Sequence, residues 1–69
     1  MRTYGKLREQ IRKVFGTVGA FSSALNKDRS TVSKKLNGLV PWDQLEMEQS
    51  CELLGIAKDR IHEYFFYEI

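Results

Sequence analysis

Apolar residues recur at helical spacing along most of the chain. Leu7, Ile11, Val14 and Phe15 stand at i, i+4, i+7 and i+8. That is one stripe of a helix from about Tyr4 to Phe15, with Lys6, Arg8, Glu9, Arg12 and Lys13 on its other side. Gly16 follows where a helix C-cap is expected. Thr17 suits the N-cap of a second helix, whose buried side is Phe21, Ala24 and Leu25. Asn26 tolerates the left-handed backbone that a tight turn needs. A third helix, from near Asp28 to Leu36, turns Val32 and Leu36 inward, and Asn37-Gly38 stops it. Pro41 suits the first turn of a fourth helix. Trp42, Leu45, Met47, Cys51 and Leu54 carry its apolar content, and Gly55 ends it. A short fifth helix covers Asp59 to about Tyr64, built on Ile61 and Phe65. The aromatic tail from Tyr64 to Ile69 either finishes that helix or extends as an edge strand. The pattern predicts an all-α, compact five-helix fold.

The 69 residues suit one domain spanning 1–69, since two domains need roughly 100 residues or more. Hydrophobic residues make up 42% and charged residues 29%, a balance that supports a small core and argues against a disordered chain. No apolar run approaches the ~18 residues of a membrane span, and no segment resembles a signal peptide. The single cysteine, Cys51, excludes an internal disulfide and a multi-cysteine zinc site, and fits the reducing cytoplasm. Cys51 reads as a small core residue, Trp42 as a core lid, and the lone His62 as an exposed or helix-end residue. One His and one Cys do not assemble a nucleophile, base and orienting group. The expectation is a binding module rather than an enzyme, with no cofactor, metal or small-molecule ligand.

Charge divides the chain. Residues 1–37 carry nine basic and two acidic side chains, a balance of +7, whereas residues 38–69 carry two basic and seven acidic ones, a balance of −5. A basic half is an electrostatic footprint for phosphate.

The most informative segment is Thr17 to Gly38, TVGAFSSALNKDRSTVSKKLNG. It reads as helix, tight turn, helix. Phe21 and Leu25 face inward, a small side chain at Ser22 lets the two backbones cross closely, and Val32 and Leu36 anchor the second helix. The first turn of that helix, with Arg29, Ser30 and Thr31, then protrudes, and Ser33 and Lys34 follow on the exposed side. A helix end of this kind fits the B-DNA major groove.

This segment resembles the helix-turn-helix of the phage Cro and repressor family, the XRE-type regulators. The likeness rests on Phe21, Ser22, Leu25-Asn26, Val32 and Asn37-Gly38. Val40-Pro41-Trp42 and Cys51 to Ile56 resemble that family's fourth helix and its exit, and the likeness covers roughly residues 5–66. The chain departs from the pattern at Ser22, where Ala is usual, at Asn26, where Gly is usual, and at Val18, where many relatives hold a phosphate-binding Gln.

The resemblance implies a lambda-repressor-like DNA-binding domain, with the helix-turn-helix at about 17–38. It implies base contacts from Arg29, Ser30, Thr31, Ser33 and Lys34, and phosphate contacts from Thr17, Lys27, Lys35 and Asn37. Arg29 suits a bidentate bond to guanine O6 and N7. The implied function is a sequence-specific transcriptional regulator that sits on operator DNA and occludes polymerase. Phage repressors of this kind usually dimerise, and Phe65, Phe66, Tyr67 and Ile69 are more apolar surface than so small a domain buries easily. They are the expected dimer interface. A protein-interaction module on the same fold, an antitoxin or anti-repressor, is the alternative, with the acidic, aromatic C-terminal half as its working face. Non-specific binding to single strands or RNA is disfavoured, because few aromatics sit among the basic residues.

Overall fold

Five α-helices and one 3₁₀ turn account for the regular structure of the computed structural model, which describes residues 4–66. The helices are α1 (Gly5–Phe15), α2 (Val18–Leu25), α3 (Arg29–Leu36), α4 (Gln44–Leu54) and α5 (Ile61–Phe65), with the 3₁₀ turn at Lys58–Arg60. No strand occurs among the described residues, so the fold is all-α as the pattern predicts. The chain continues helically to the end of α5, where the Phe66 amide donates to the His62 carbonyl. Tyr67 and Ile69, both expected at a dimer interface, lie outside the described residues.

Each helix enters the core through a few large side chains. Leu7 and Ile11 come from α1, Phe21 and Leu25 from α2, Val32 and Leu36 from α3, Cys51 and Leu54 from α4, and Phe65 from α5. Trp42, in the connection before α4, covers one end of this cluster. Its ring meets Phe65 edge-on at 5.2 Å and Tyr4 at 6.3 Å. Tyr4 reaches that position because it takes a left-handed backbone (φ 53) just before α1.

The helix ends are set by local chemistry. Thr17 Oγ1 accepts from the Ala20 amide at 3.1 Å, the N-cap expected for α2. Gly16 ends α1 at φ 85, where any Cβ would be strained. Asn26 adopts φ 60, and its amide donates to Ser22 and Ser23 carbonyls at the end of α2. A reciprocal capping box opens α4. The Glu46 amide donates to Asp43 Oδ1 at 2.7 Å, and the Asp43 amide donates to Glu46 Oε1 at 3.0 Å.

The apolar pattern misplaces some residues. Val14 is half exposed. The chain leaves α1 at Gly16 and returns on the Phe15 side, where Phe15 packs on Phe21 at 5.6 Å, so the last turn of α1 is covered on that flank. Ala24 is exposed on α2. Leu45 is exposed because the inward row of α4 is Glu46, Ser50, Cys51 and Leu54, one position out of step with it.

Two site expectations are corrected here. Lys35, expected at a phosphate, is buried. Its Nζ lies 2.8 Å from Glu46 Oε1, donates to the Pro41 carbonyl at 2.9 Å, and sits 5.9 Å from the Trp42 ring centre. Lys35 is three residues past Val32 and one before Leu36, so it shares their face, and every donor it has is turned inward. Phe65, expected at a dimer interface, is a core residue against Trp42, because α5 packs on α1 and α4.

A buried ion pair that loses one partner leaves the other charge uncompensated. Glu46→Gln keeps an oxygen for the Asp43 amide but removes the charge facing Lys35. It is expected to cost about 3–5 kcal/mol, most of the stability of so small a domain. Replacing both partners with apolar residues, Lys35→Met with Glu46→Leu, should recover most of that loss. Urea unfolding followed by Trp42 fluorescence measures both.

Candidate nucleic-acid interface

The α2–turn–α3 segment is fixed from beneath. Ser22 is buried, and its hydroxyl donates to the Val18 carbonyl one turn back at 2.7 Å. A polar group is thus satisfied inside its own helix, at a point where a larger side chain would push α3 away. The Lys27 amide also donates to the Ser22 carbonyl, which tightens the exit from α2. On α3 the buried positions are Val32, Lys35 and Leu36.

What α3 turns outward follows from that choice. Ser30 and Lys34, four residues apart, are both exposed and form one row. Arg29 and Ser33 form a second row beside it, with Arg29 exposed and Ser33 partly so. Thr31 is partly buried on the opposite flank. Four of the five residues expected to meet bases, Arg29, Ser30, Ser33 and Lys34, therefore stand on these two rows, and Thr31 stands on the other flank.

The second row lies against α2. Arg29 Cδ passes 3.5 Å from where a Cβ would stand on Gly19, and Thr17 Oγ1 is 3.9 Å from the same point. Arg29 and Thr17 are thereby drawn to one place, the start of α2. An open groove there is lined by Arg8, Ile11, Arg12, Gly16, Thr17 and Val18. The first amides of a helix have no partner inside it and favour an anion. Arg12 places a cation beside them. The basic alternation of α1 signals the charge, but only the fold brings Arg12 to the start of α2.

Other expected contacts are placed differently. Asn37 caps the far end of α3, and its Oδ1 accepts from Arg8 Nη2 at 2.7 Å. The same nitrogen donates to the Leu36 carbonyl at 2.8 Å, so Arg8 ties α1 to the negative end of α3. Lys27, at the turn, leans on Glu46 with Nζ 3.5 Å from Oε2. Among the described residues, Arg12, Arg29 and Lys34 make no ion pair. Glu46 escapes sequence reasoning as a site residue, although Asp43 and Glu46 at capping-box spacing announce its local role.

Glu46 apart, the acidic half includes a second ion-pair cluster on α5. Glu63 on α5 bonds Lys6 at 2.9 Å and Arg60 at 3.0 Å, and both cations approach the Tyr64 ring. His62 is exposed and stacks on Phe66 at 5.4 Å. Burial pushes the Cys51 thiol up, so it stays protonated in the core. Among the described residues, no helix is long and apolar enough to cross a membrane.

Comparison with known proteins adds a family. The model of a family described as protein of unknown function (DUF739) matches residues 2–68, nearly the whole chain. No curated protein matches it significantly.

Two carboxylates give the domain a dependence on acid. Hydrogen bonds from Arg60 and then Lys6 hold Glu63 down from the ordinary 4.5 to about 2. Burial raises the pKa of Glu46, but the Lys35 bond, the Asp43 amide and the Lys35 and Lys27 charges outweigh it and leave the value lowered. A depressed carboxylate stabilises the fold fully above its unfolded value and ceases to as pH falls through its folded one. Stability should therefore fall between about pH 4.5 and pH 2, read as the urea midpoint. Glu63→Gln should flatten the lower part of that decline.

A Cβ at Gly19 would meet Arg29 only in ordinary contact, and no positive φ constrains the position. Gly19→Ala should raise stability by about 0.5–1 kcal/mol through backbone entropy, measured as an increase in Tm.

Proposed function

We propose that this chain, which belongs to the DUF739 family, is a sequence-specific DNA-binding regulator of transcription. The observation that carries the reading is the division of α3. Val32, Lys35 and Leu36 are locked inward, and Arg29, Ser30, Ser33 and Lys34 are thereby presented outward as a surface of cations and hydroxyls. An α-helix of ~10–12 Å diameter fits the ~12 Å major groove. The likeness of residues 17–38 to the helix-turn-helix of Cro and repressor proteins supports the same reading.

In this reading α3 enters the major groove by its first turn. Arg29 forms a bidentate bond to a guanine edge, and its stem is steadied over Gly19. Ser30, Ser33 and Thr31 supply hydroxyls and a methyl to neighbouring base edges, and Lys34 reaches further along the groove. Thr17, the first amides of α2 and Arg12 receive a backbone phosphate. Asn37, held by Arg8, stands at the other end of α3 as a second phosphate position. No cofactor takes part. Occupation of operator DNA in the cytoplasm blocks polymerase.

Half-sites one helical turn apart lie ~34 Å from each other, and one copy measures 25 × 24 × 21 Å. A single copy therefore reads one half-site, and a homodimer reads the operator. With Phe65 in the core, the exposed large apolar side chains among the described residues include Leu39 (71% exposed) in the α3–α4 connection, Leu45 (63%) at the start of α4 and Val14 on α1. The same side chains favour the alternative, a protein-interaction module.

Binding of the chain to the DNA upstream of its own gene, against a scrambled duplex of equal length, tests the reading by fluorescence anisotropy. Preference for the native duplex is expected. Arg29→Ala should cost about 1–3 kcal/mol and relax the preference at one base pair. Arg29→Ala with Lys34→Ala should abolish the preference while leaving the helical circular dichroism unchanged. Failure to bind either duplex at low salt would sink the DNA reading and favour the protein-interaction one.

A further inference from the structure

We propose that Glu46 acts as an internal counter-ion that withholds Lys27 from DNA, and so lowers the attraction of this protein for arbitrary sequence. The inference rests on the DNA-binding reading above and assigns Glu46 as a specificity-determining residue that acts through Lys27.

Lys27 occupies the turn between α2 and α3, beside the proposed recognition helix, where a cation would ordinarily serve the phosphate backbone. Its Nζ instead lies 3.5 Å from Glu46 Oε2. The lysine side chain is 41% exposed and the glutamate side chain 5%, so it is the lysine that reaches inward. Glu46 cannot follow Lys27 to the surface. Its other oxygen is held by Lys35 at 2.8 Å and by the Asp43 amide at 3.0 Å, and its backbone is committed to the capping box. A phosphate that recruited Lys27 would have to take it from a carboxylate in a less polar setting than water, where opposite charges attract more strongly.

The consequence concerns discrimination. A lysine on a phosphate strengthens binding to every duplex alike, through counterion release, and carries no sequence information. Among the described residues, Lys58 on the 3₁₀ turn makes no ion pair, and neither do Arg12, Arg29 and Lys34, on or beside the α3 surface. Holding Lys27 back leaves attraction to those positions and trims the part of affinity that is blind to sequence.

The test is the salt dependence of binding by the whole chain, on the upstream duplex and on the scrambled one. Each phosphate contact contributes about 0.9 to the slope of log K against log salt, or roughly three- to four-fold in affinity over a four-fold change of salt. Lys27→Ala should leave the slope unchanged, whereas Arg12→Ala, the control, should lower it by about 0.9. Glu46→Gln should steepen it by about 0.9 on both duplexes and tighten the scrambled one, and adding Lys27→Ala should reverse both effects. Should Glu46→Gln fail to fold, the repacked Lys35→Met, Glu46→Leu chain releases Lys27 in its place. A shallower slope for Lys27→Ala in the native background would overturn the inference while leaving the DNA reading intact. An unchanged slope in both chains that lack Glu46 would do the same. Absence of binding to any duplex overturns both.

Discussion

One ion pair governs how α3 is presented. Lys35 and Glu46 meet at 2.8 Å under the α3–α4 connection, with the Pro41 carbonyl and the Asp43 amide completing their bonds. Taking two charges out of water costs several kcal/mol each, and the attraction offsets that cost only with good geometry. The capping box supplies that geometry, because it holds Glu46 in place independently of Lys35. The pair then joins the end of α3, the connecting loop and the start of α4. With Lys35 pointing inward, α3 has a single rotation about its axis, and its outward rows are decided.

Around this anchor the other elements act as braces. Arg8 reaches from α1 to the terminal carbonyl of α3 and to Asn37. Ser22 lets α2 lie close beneath α3, and Asn26 turns the chain in the space left. Trp42, covered by Tyr4, Phe65 and the Lys35 ammonium, closes the end of the core from which this loop emerges. Burial of so few large side chains gives a small domain little stability to spare. The buried charges among the described residues, Lys35 and Glu46, are therefore paired with each other in a cluster that orients as well as holds.

The charges of the chain sort themselves by what they touch. Nine basic side chains crowd the first 37 residues, yet they do not act alike. Lys35 is buried, Lys27 is shared with Glu46, Arg8 braces α3, and Lys6 joins Glu63 across to α5. Among the described residues of this half, Arg12, Arg29 and Lys34 make no ion pair, and they are gathered around α3 and the start of α2. The acidic half does more than balance this field, since Glu46 and Glu63 decide which cations stay available.

The elements themselves were legible in the sequence, because helix periodicity and end signals are local. Leu7 and Ile11, the Thr17 cap, the left-handed Asn26 and the Gly55 stop depend on residues within a turn or two of each other. The outward positions Arg29, Ser30, Ser33 and Lys34 on α3 were legible for the same reason, once Val32 and Leu36 defined its inner face. Partnership across the chain was not legible. Lys35 and Glu46 are eleven positions apart, each reads alone as a surface charge, and only their meeting makes burial tolerable. Phe65 reads as surplus apolar area in the sequence, but it packs edge-on against Trp42, and Leu45 reads as core, but Glu46 takes the inward position. Where helices begin, end and turn is written locally in the chain, because that is backbone chemistry over short range. Which charges face water is settled only when the helices pack, because desolvation is offset only by a partner that folding brings near.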